Sequence, residues 1–175
     1  MRALIAFILV LGSATAAAQH KPYSGEEGRD IKALSAEEVA QYRSGAGMGY
    51  AKPAELNHFP GPMHVLELAD RLGLSAEQRE ATSRLMDAHK AEARVIGGKL
   101  VDAEQAVEAL FRSGKVSDIA LADAVRRAAA LQGEYRLSHL ETHRRMRALL
   151  TAEQVARYDA LRGYSSAPSR SPHKH

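Results

Sequence analysis

LSAEQ at residues 74–78 and LTAEQ at residues 150–154 are one helix-starting device written twice, and the residues between them carry a helical pattern almost throughout. In each copy the hydroxyl of Ser75 or Thr151 is placed to accept the backbone N–H three residues on, while Gln78 or Gln154 reaches back to the cap's own N–H. That is a capping box, which satisfies two otherwise orphaned donors and fixes where a helix begins. A third copy, LSAEE at residues 34–38, continues as VAQY, close to the VARY that follows LTAEQ.

Working outward from the first copy, a helix is predicted from Ser75 to about Arg112. Met86, His89, Ala93, Ile96, Leu100, Ala103, Val107 and Leu110 recur at alternating spacings of three and four, the seam of a coiled coil. Ser113 and Gly114 stop it, and Ser117 with Asp118 restarts a helix reaching about Leu150. Its seam is Leu121, Val125, Ala128, Gln132, Tyr135, His139, Thr142, Met146 and Leu149. So short a break folds the two helices back as an antiparallel hairpin. At about 1.5 Å per residue each arm is roughly 50 Å long. Two helices cannot enclose a core over that length, so an apolar side must pack on shorter helices, pair with a second copy or stay open.

The flanks are shorter elements. A helix from about Met63 to Leu72 precedes the hairpin, with Val65, Leu66, Leu68, Ala69 and Leu72 as its apolar face and Gly73 ending it. A last helix from Thr151 to about Arg162 presents Val155, Tyr158 and Leu161 to the hairpin base. Residues 19–61, rich in Gly and Pro, read as an extended, partly ordered arm with one short helix at 35–44. The tail 165–175 has no apolar periodicity and reads as disordered. Gly97 and Gly98 lie inside the first long helix with Gly133 opposite, which predicts either close approach of the two arms or a bend there; chance tolerance is the plain alternative.

Composition bounds the function. With 45% hydrophobic but only 5% aromatic residues the chain has the balance of an Ala/Leu-rich all-α protein. Arg2, the apolar run from Ala3 to Leu11 and the small residues ending at Ala18 read as a secretory signal peptide over residues 1–18, cleaved after Ala18. An uncleaved anchor would need about 20 apolar residues, and no other segment is apolar enough for stable membrane insertion. The absence of cysteine removes disulfides, thiolate metal sites and thiol nucleophiles. A net charge of +3, less the one charge of Arg2, leaves the mature chain at +2, too small a surplus for a nucleic-acid binder. Among catalytic signatures no Gly-x-Ser-x-Gly elbow, phosphate loop or HExxH is present, and a non-enzymatic role is expected.

An exported, cysteine-free helical chain with two LTxxQ motifs flanking a long hairpin resembles the Spy/CpxP family, which includes periplasmic metal-sensing and zinc-resistance proteins; the likeness covers residues 62–164. LTAEQ fits the motif, and LSAEQ has Ser for Thr, which capping tolerates. The resemblance implies a homodimer of hairpins, intertwined or packed, forming a cradle. It also implies a role as an ATP-independent chaperone, an inhibitor of a membrane stress-sensor kinase or a metal sensor. The arm lies outside the shared pattern.

Two constellations are candidates for chemistry. Counting outward from a turn near Lys115 sets His89 level with residues 141–142, between His139 and His143, which are four apart on one helix face. Three imidazoles, with Asp87, Glu92 or Glu141 as an oxygen donor, suit Zn, Ni, Co or Cu. The bland reading makes His89 and His139 amphipathic seam residues, and Arg144, Arg145 and Arg147 disfavour a dication nearby. No cofactor is required on either reading. His173 and His175 end a tail that reads as solubilising. Second, Arg126, Arg127, Arg136, Arg144, Arg145 and Arg147 interleave with Leu131, Leu137, Leu140 and Met146. Guanidinium groups beside apolar patches can hold unfolded chains by long-range attraction followed by nonspecific burial; an ordinary solvated face is the alternative. The leading expectation is a periplasmic chaperone-like homodimer that binds misfolded envelope proteins through Arg126, Arg127, Arg136, Leu137, Leu140, Arg144, Met146 and Arg147. The second is a heavy-metal sensor or resistance protein using His89, His139 and His143 and reporting to a membrane sensor protein.

Overall fold

The computed structural model describes residues 23–164, so the expected signal peptide and the tail 165–175 lie outside the described residues. Seven helices and no strand occur among the described residues: α1 Ala36–Ser44, α2 Lys52–Glu55, α3 Pro62–Glu67, α4 Ala69–Leu72, α5 Ala76–Arg112, α6 Asp118–Ala148 and α7 Ala152–Arg162. The long pair α5 and α6 pack side by side as the antiparallel hairpin, joined through Ser113, Gly114 and the N-cap Ser117. The helix expected over residues 63–72 is two, because the backbone at Leu68 leaves helical geometry (φ −101°, ψ 11°).

All three capping boxes are formed, with Ser35, Ser75 and Thr151 each accepting the N–H of Glu38, Gln78 and Gln154. The two glutamines do more than cap. Gln78 Nε2 donates to Gln154 Oε1 at 2.8 Å and Gln154 Nε2 returns the bond to Gln78 Oε1 at 2.9 Å. Each Oε1 also accepts its own cap's N–H at 3.0 Å, and Gln78 Nε2 donates to the Leu149 carbonyl. The two motifs are therefore stitched together at the hairpin base. Leu74 and Leu150, which open them, are buried in one apolar cluster with Val65, Ala69, Leu72, Met146, Val155 and Tyr158.

A second cluster lies farther up the hairpin and corrects the reading of residues 19–61 as extended. From Asp30 onward the arm is folded back on α5 and α6, and Ile31 and Tyr42 join Ala93, Leu100, Val101, Ala103, Ala128, Leu131 and Tyr135 in a continuous core. The Tyr135 ring meets Tyr42 edge-on at 5.2 Å and Tyr50 at 5.9 Å, arrangements that favour aromatic pairs. Its hydroxyl donates to the Ala46 carbonyl at 2.6 Å. Gly97 makes this docking feasible: a Cβ there would stand 2.0 Å from the Tyr42 carbonyl oxygen. The closest approach at Gly97 is thus to the backbone of α1, and the Tyr135 ring of the opposite arm follows, 3.0 Å from the same Cβ position. A Cβ on Gly98 or Gly133 would meet nothing within 4 Å.

Candidate functional site

Folding the arm over the hairpin builds a pocket of about 680 Å³ between them. Its floor comes from α5 and α6 (Met86, His89, His139, Thr142, His143) and its walls from the arm, chiefly the glycine-rich loop at residues 45–49, α2 and the start of α3. The loop holds Met48 at φ +46°, a left-handed backbone uncommon for a residue with a side chain.

The hairpin brings His89 and His139 together, with ring centroids 4.5 Å apart and planes at 86°. His139 is 4% exposed. Its Nδ1 lies 2.8 Å from the Tyr135 carbonyl, and since a carbonyl can only accept, Nδ1 carries the proton. In the neutral ring Nε2 is then a bare lone pair; it is buried and has no hydrogen-bond partner among the described residues, as is true of His89 Nδ1. Burial, reinforced by the neighbouring histidines, pushes His89 down to about 4, and burial likewise lowers His139, so both are neutral at pH 7.

His143 is engaged by the arm as well. Its Nδ1 donates to the Phe59 carbonyl at 2.8 Å and lies 3.6 Å from Glu55 Oε2, and its Nε2 is only 3.0 Å from where a Cβ on Gly61 would stand. The expected oxygen donors are placed elsewhere. Asp87 and Glu92 are exposed, and Glu141 is clamped by Arg144 at 2.6 and 2.7 Å and by Arg145 at 3.2 Å, which holds its carboxyl down at about 2. Among the described residues no group of three or more histidines and carboxylates is arranged to hold a metal ion. The three-imidazole-plus-carboxylate set is therefore not assembled among the described residues.

Sequence reasoning missed Glu55, which organises the mouth of this region. It takes the Tyr158 hydroxyl and the Gly61 N–H and lies 3.7 Å from Arg162 Nε. Tyr158 is fully buried, and burial together with Glu55 raises its phenol far above the ordinary range. Alongside, His58 Nδ1 meets Asp159 Oδ2 at 2.7 Å. One signal was available. Tyr42 and Tyr158 both stand seven residues after a cap, two turns into a helix, and both are the buried residues by which their helices dock.

The basic and apolar surface of α6 is only partly as expected. At about 100° per residue Arg126, Leu137 and Arg144 fall on one outward stripe, and all three are exposed, as are Arg127 and Arg136. Met146 is the correction. It lies on the opposite side of the helix, fully buried in the base cluster, and cannot touch a client. Leu131 is buried too, Leu140 is half-buried, and Arg147 is half-buried with its guanidinium on the Leu150 carbonyl. Leu137 is 64% exposed, and at the turn end of the hairpin Phe111 and Ile119 are 59% and 77% exposed. No described helix is long and apolar enough to cross a membrane.

A family model described as LTXXQ motif family protein matches residues 62–162. No curated protein and no solved structure matches the chain.

Proposed function

The chain belongs to the LTXXQ motif family, and from that membership and its exposed surface we propose that it is a periplasmic, ATP-independent chaperone that works as a homodimer. The observation that carries this reading is the set of large apolar side chains left in solvent among arginines. Leu137 is flanked along its stripe by Arg126 and Arg144, with Arg136 beside it, and Phe111 and Ile119 project at the turn. Isolated exposed apolar residues are common. Leu137 shares its surface with the exposed Arg127 and Arg136 and with Arg126 and Arg144, which are paired to Asp123 and Glu141, so an unfolded segment is drawn in electrostatically and then retained by burial that demands no fixed sequence. The arm covers one apolar side of the hairpin, so clients are assigned to the outward stripe and the turn.

Purified mature protein is expected to suppress aggregation of a reduced or heat-unfolded client at near-stoichiometric ratio without nucleotide, and a combined Arg136→Glu, Leu137→Ser variant to lose most of that effect. Light scattering that follows the same course with and without the protein defeats this reading.

A metal-responsive role has one observation in its favour, the adjacent rings of His89 and His139, each with one nitrogen that has no hydrogen-bond partner among the described residues. Calorimetric titration with Zn²⁺, Ni²⁺, Co²⁺ and Cu²⁺ separates it from the first. Silence, or binding unchanged by His139→Ala, removes it.

A further inference from the structure

Where α2 packs against α6 a second, smaller pocket of about 450 Å³ opens to solvent. Lys52, Pro53 and Leu56 form its side on the arm, Arg136 its side on α6, and Met48 and Tyr50 complete the wall. Among the described residues this lining holds two cations and no carboxylate. The sequence explains why Arg136 is left over. A helical arginine is neutralised by an acid three or four positions away, as Arg84 is by Glu80, Arg126 by Asp123 and Arg144 by Glu141. At those offsets from Arg136 stand Gln132, Gly133, His139 and Leu140. Lys52 has Glu55 three positions on, but that carboxylate takes the Tyr158 hydroxyl and the Gly61 N–H. Neither cation has an ion-pair partner among the described residues. The apolar side is open too. Leu56, the C-terminal cap of α2, is 50% exposed, and Leu137, next to Arg136 in the chain, is also exposed.

Two unanswered positive charges beside exposed apolar carbons select an occupant that joins a negative charge to apolar groups. We propose that this notch binds an extended acidic segment of an unfolded chain, with an Asp or Glu carboxylate beside Lys52 and Arg136, one flanking apolar side chain on Leu56 and the other on Leu137. The planar fork of Arg136 suits a carboxylate held by two hydrogen bonds, and Lys52 adds a point charge. An exposed ion pair alone contributes little, so the carboxylate and its apolar neighbours are needed together. The assignment rests on the chaperone reading for the kind of partner and narrows it, because clients are then caught where acids sit among apolar residues and basic segments are turned away. Lys52 and Leu56 belong to the arm, outside the matched family segment, so this part of the surface is the arm's own contribution.

The test is fluorescence anisotropy of a labelled peptide, Gly-Ser-Leu-Asp-Phe-Ser-Gly, titrated with the mature chain at low ionic strength. One peptide per chain is expected. Replacing the peptide's Asp by Asn should weaken binding about fivefold, the upper end of what an exposed ion pair contributes, and added salt should erase that difference. Replacing its Leu and Phe by Ser should weaken binding at least as much. Lys52→Glu should remove the preference for Asp over Asn, whereas Leu56→Ser should weaken both peptides alike; both positions are exposed, and circular dichroism should stay native. No rise in anisotropy, equal binding of the Asp and Asn peptides, or an Asp preference that survives Lys52→Glu overturns the proposal. Each of these is read without an aggregating client, so the notch can fail while aggregation is still suppressed and the chaperone reading stands. A change in sedimenting mass on Lys52→Glu, with no peptide bound by the native chain, gives the notch to a second copy of the chain and equally overturns the proposal.

Discussion

At Gly97 a single hydrogen in place of a methyl decides whether the arm can dock. The Tyr42 carbonyl occupies the space of a Cβ at 2.0 Å, and the atoms in the way are backbone, which cannot swing aside. Gly97→Ala is expected to cost about 2–3 kcal/mol, at the upper end of overpacking penalties. Gly98→Ala and Gly133→Ala, whose methyls meet nothing, should each gain about 0.5–1 kcal/mol from the removed helix penalty. Urea midpoints of the three variants check this; equal effects at all three would mean the arm is not seated on Gly97. His89 sets a pH dependence of definite sign. An unfolded histidine titrates near 6.5, and the folded one near 4, so the unfolded chain takes up the proton first as pH falls. The stability that neutral His89 contributes is complete above about pH 6.5 and drains away as the pH drops toward 4, an effect on the order of 1–2 kcal/mol for a group that keeps some solvent access. Denaturation midpoints between pH 7 and 5, above the main carboxylate range, should fall for the native chain and fall less for His89→Phe. A flat profile in the native chain would contradict the depressed titration.

Helices and their junctions were the most legible level. Periodicity of three and four named α5 and α6, and local spacing named their caps, because both are properties of neighbours in sequence. What stayed hidden depends on residues far apart. The caps Gln78 and Gln154 can be read as caps from five residues, but their exchange of amide bonds requires knowing that two helix starts meet, and they are 76 positions apart. The break at Leu68 and the seating of Gly97 on the arm were invisible for the same reason, and so was the bond that His143 makes to the Phe59 carbonyl. His89 against His139, by contrast, followed from the turn position alone, since an antiparallel hairpin fixes which levels face each other. The amide exchange carries its own prediction. Gln78→Ala and Gln154→Ala should each destabilise by about 1–2 kcal/mol, with the double variant costing less than their sum by about 1 kcal/mol, because the first substitution already breaks both bonds. A thermodynamic cycle from urea melts measures the coupling. Strict additivity would reduce the two motifs to independent caps.

For the whole molecule, the consequence of a slender hairpin is that one stripe of seam residues has to be covered by something else, and in this chain the cover is its own arm. Tyr42 and Ile31 complete the upper cluster from one side. Glu55, bonded to Tyr158 and the Gly61 N–H, and His58, bonded to Asp159, fasten the arm's lower end to α7 and the start of α3. The matched family segment begins at residue 62, so the arm is an addition laid over a hairpin that the motif pair already assembles. Removing residues 23–60 should therefore leave the base cluster and the Gln78–Gln154 exchange intact while exposing Tyr135, Leu100 and Leu131. The shortened protein is expected to keep its helical circular dichroism, to bind anilinonaphthalenesulfonate more strongly, and to form larger assemblies by light scattering as the bared stripe finds other molecules to cover it. It should also hold unfolded clients more tightly, because the covered face then adds to the outward arginine and leucine stripe. Tyr158→Phe is the milder form of the same experiment. It removes the hydroxyl that Glu55 accepts but little volume, so hydrogen exchange should quicken over residues 52–61 while α5 and α6 stay protected. If exchange in the arm does not change and the shortened chain keeps the native mass and low dye binding, the arm is a passenger and some other partner closes the hairpin.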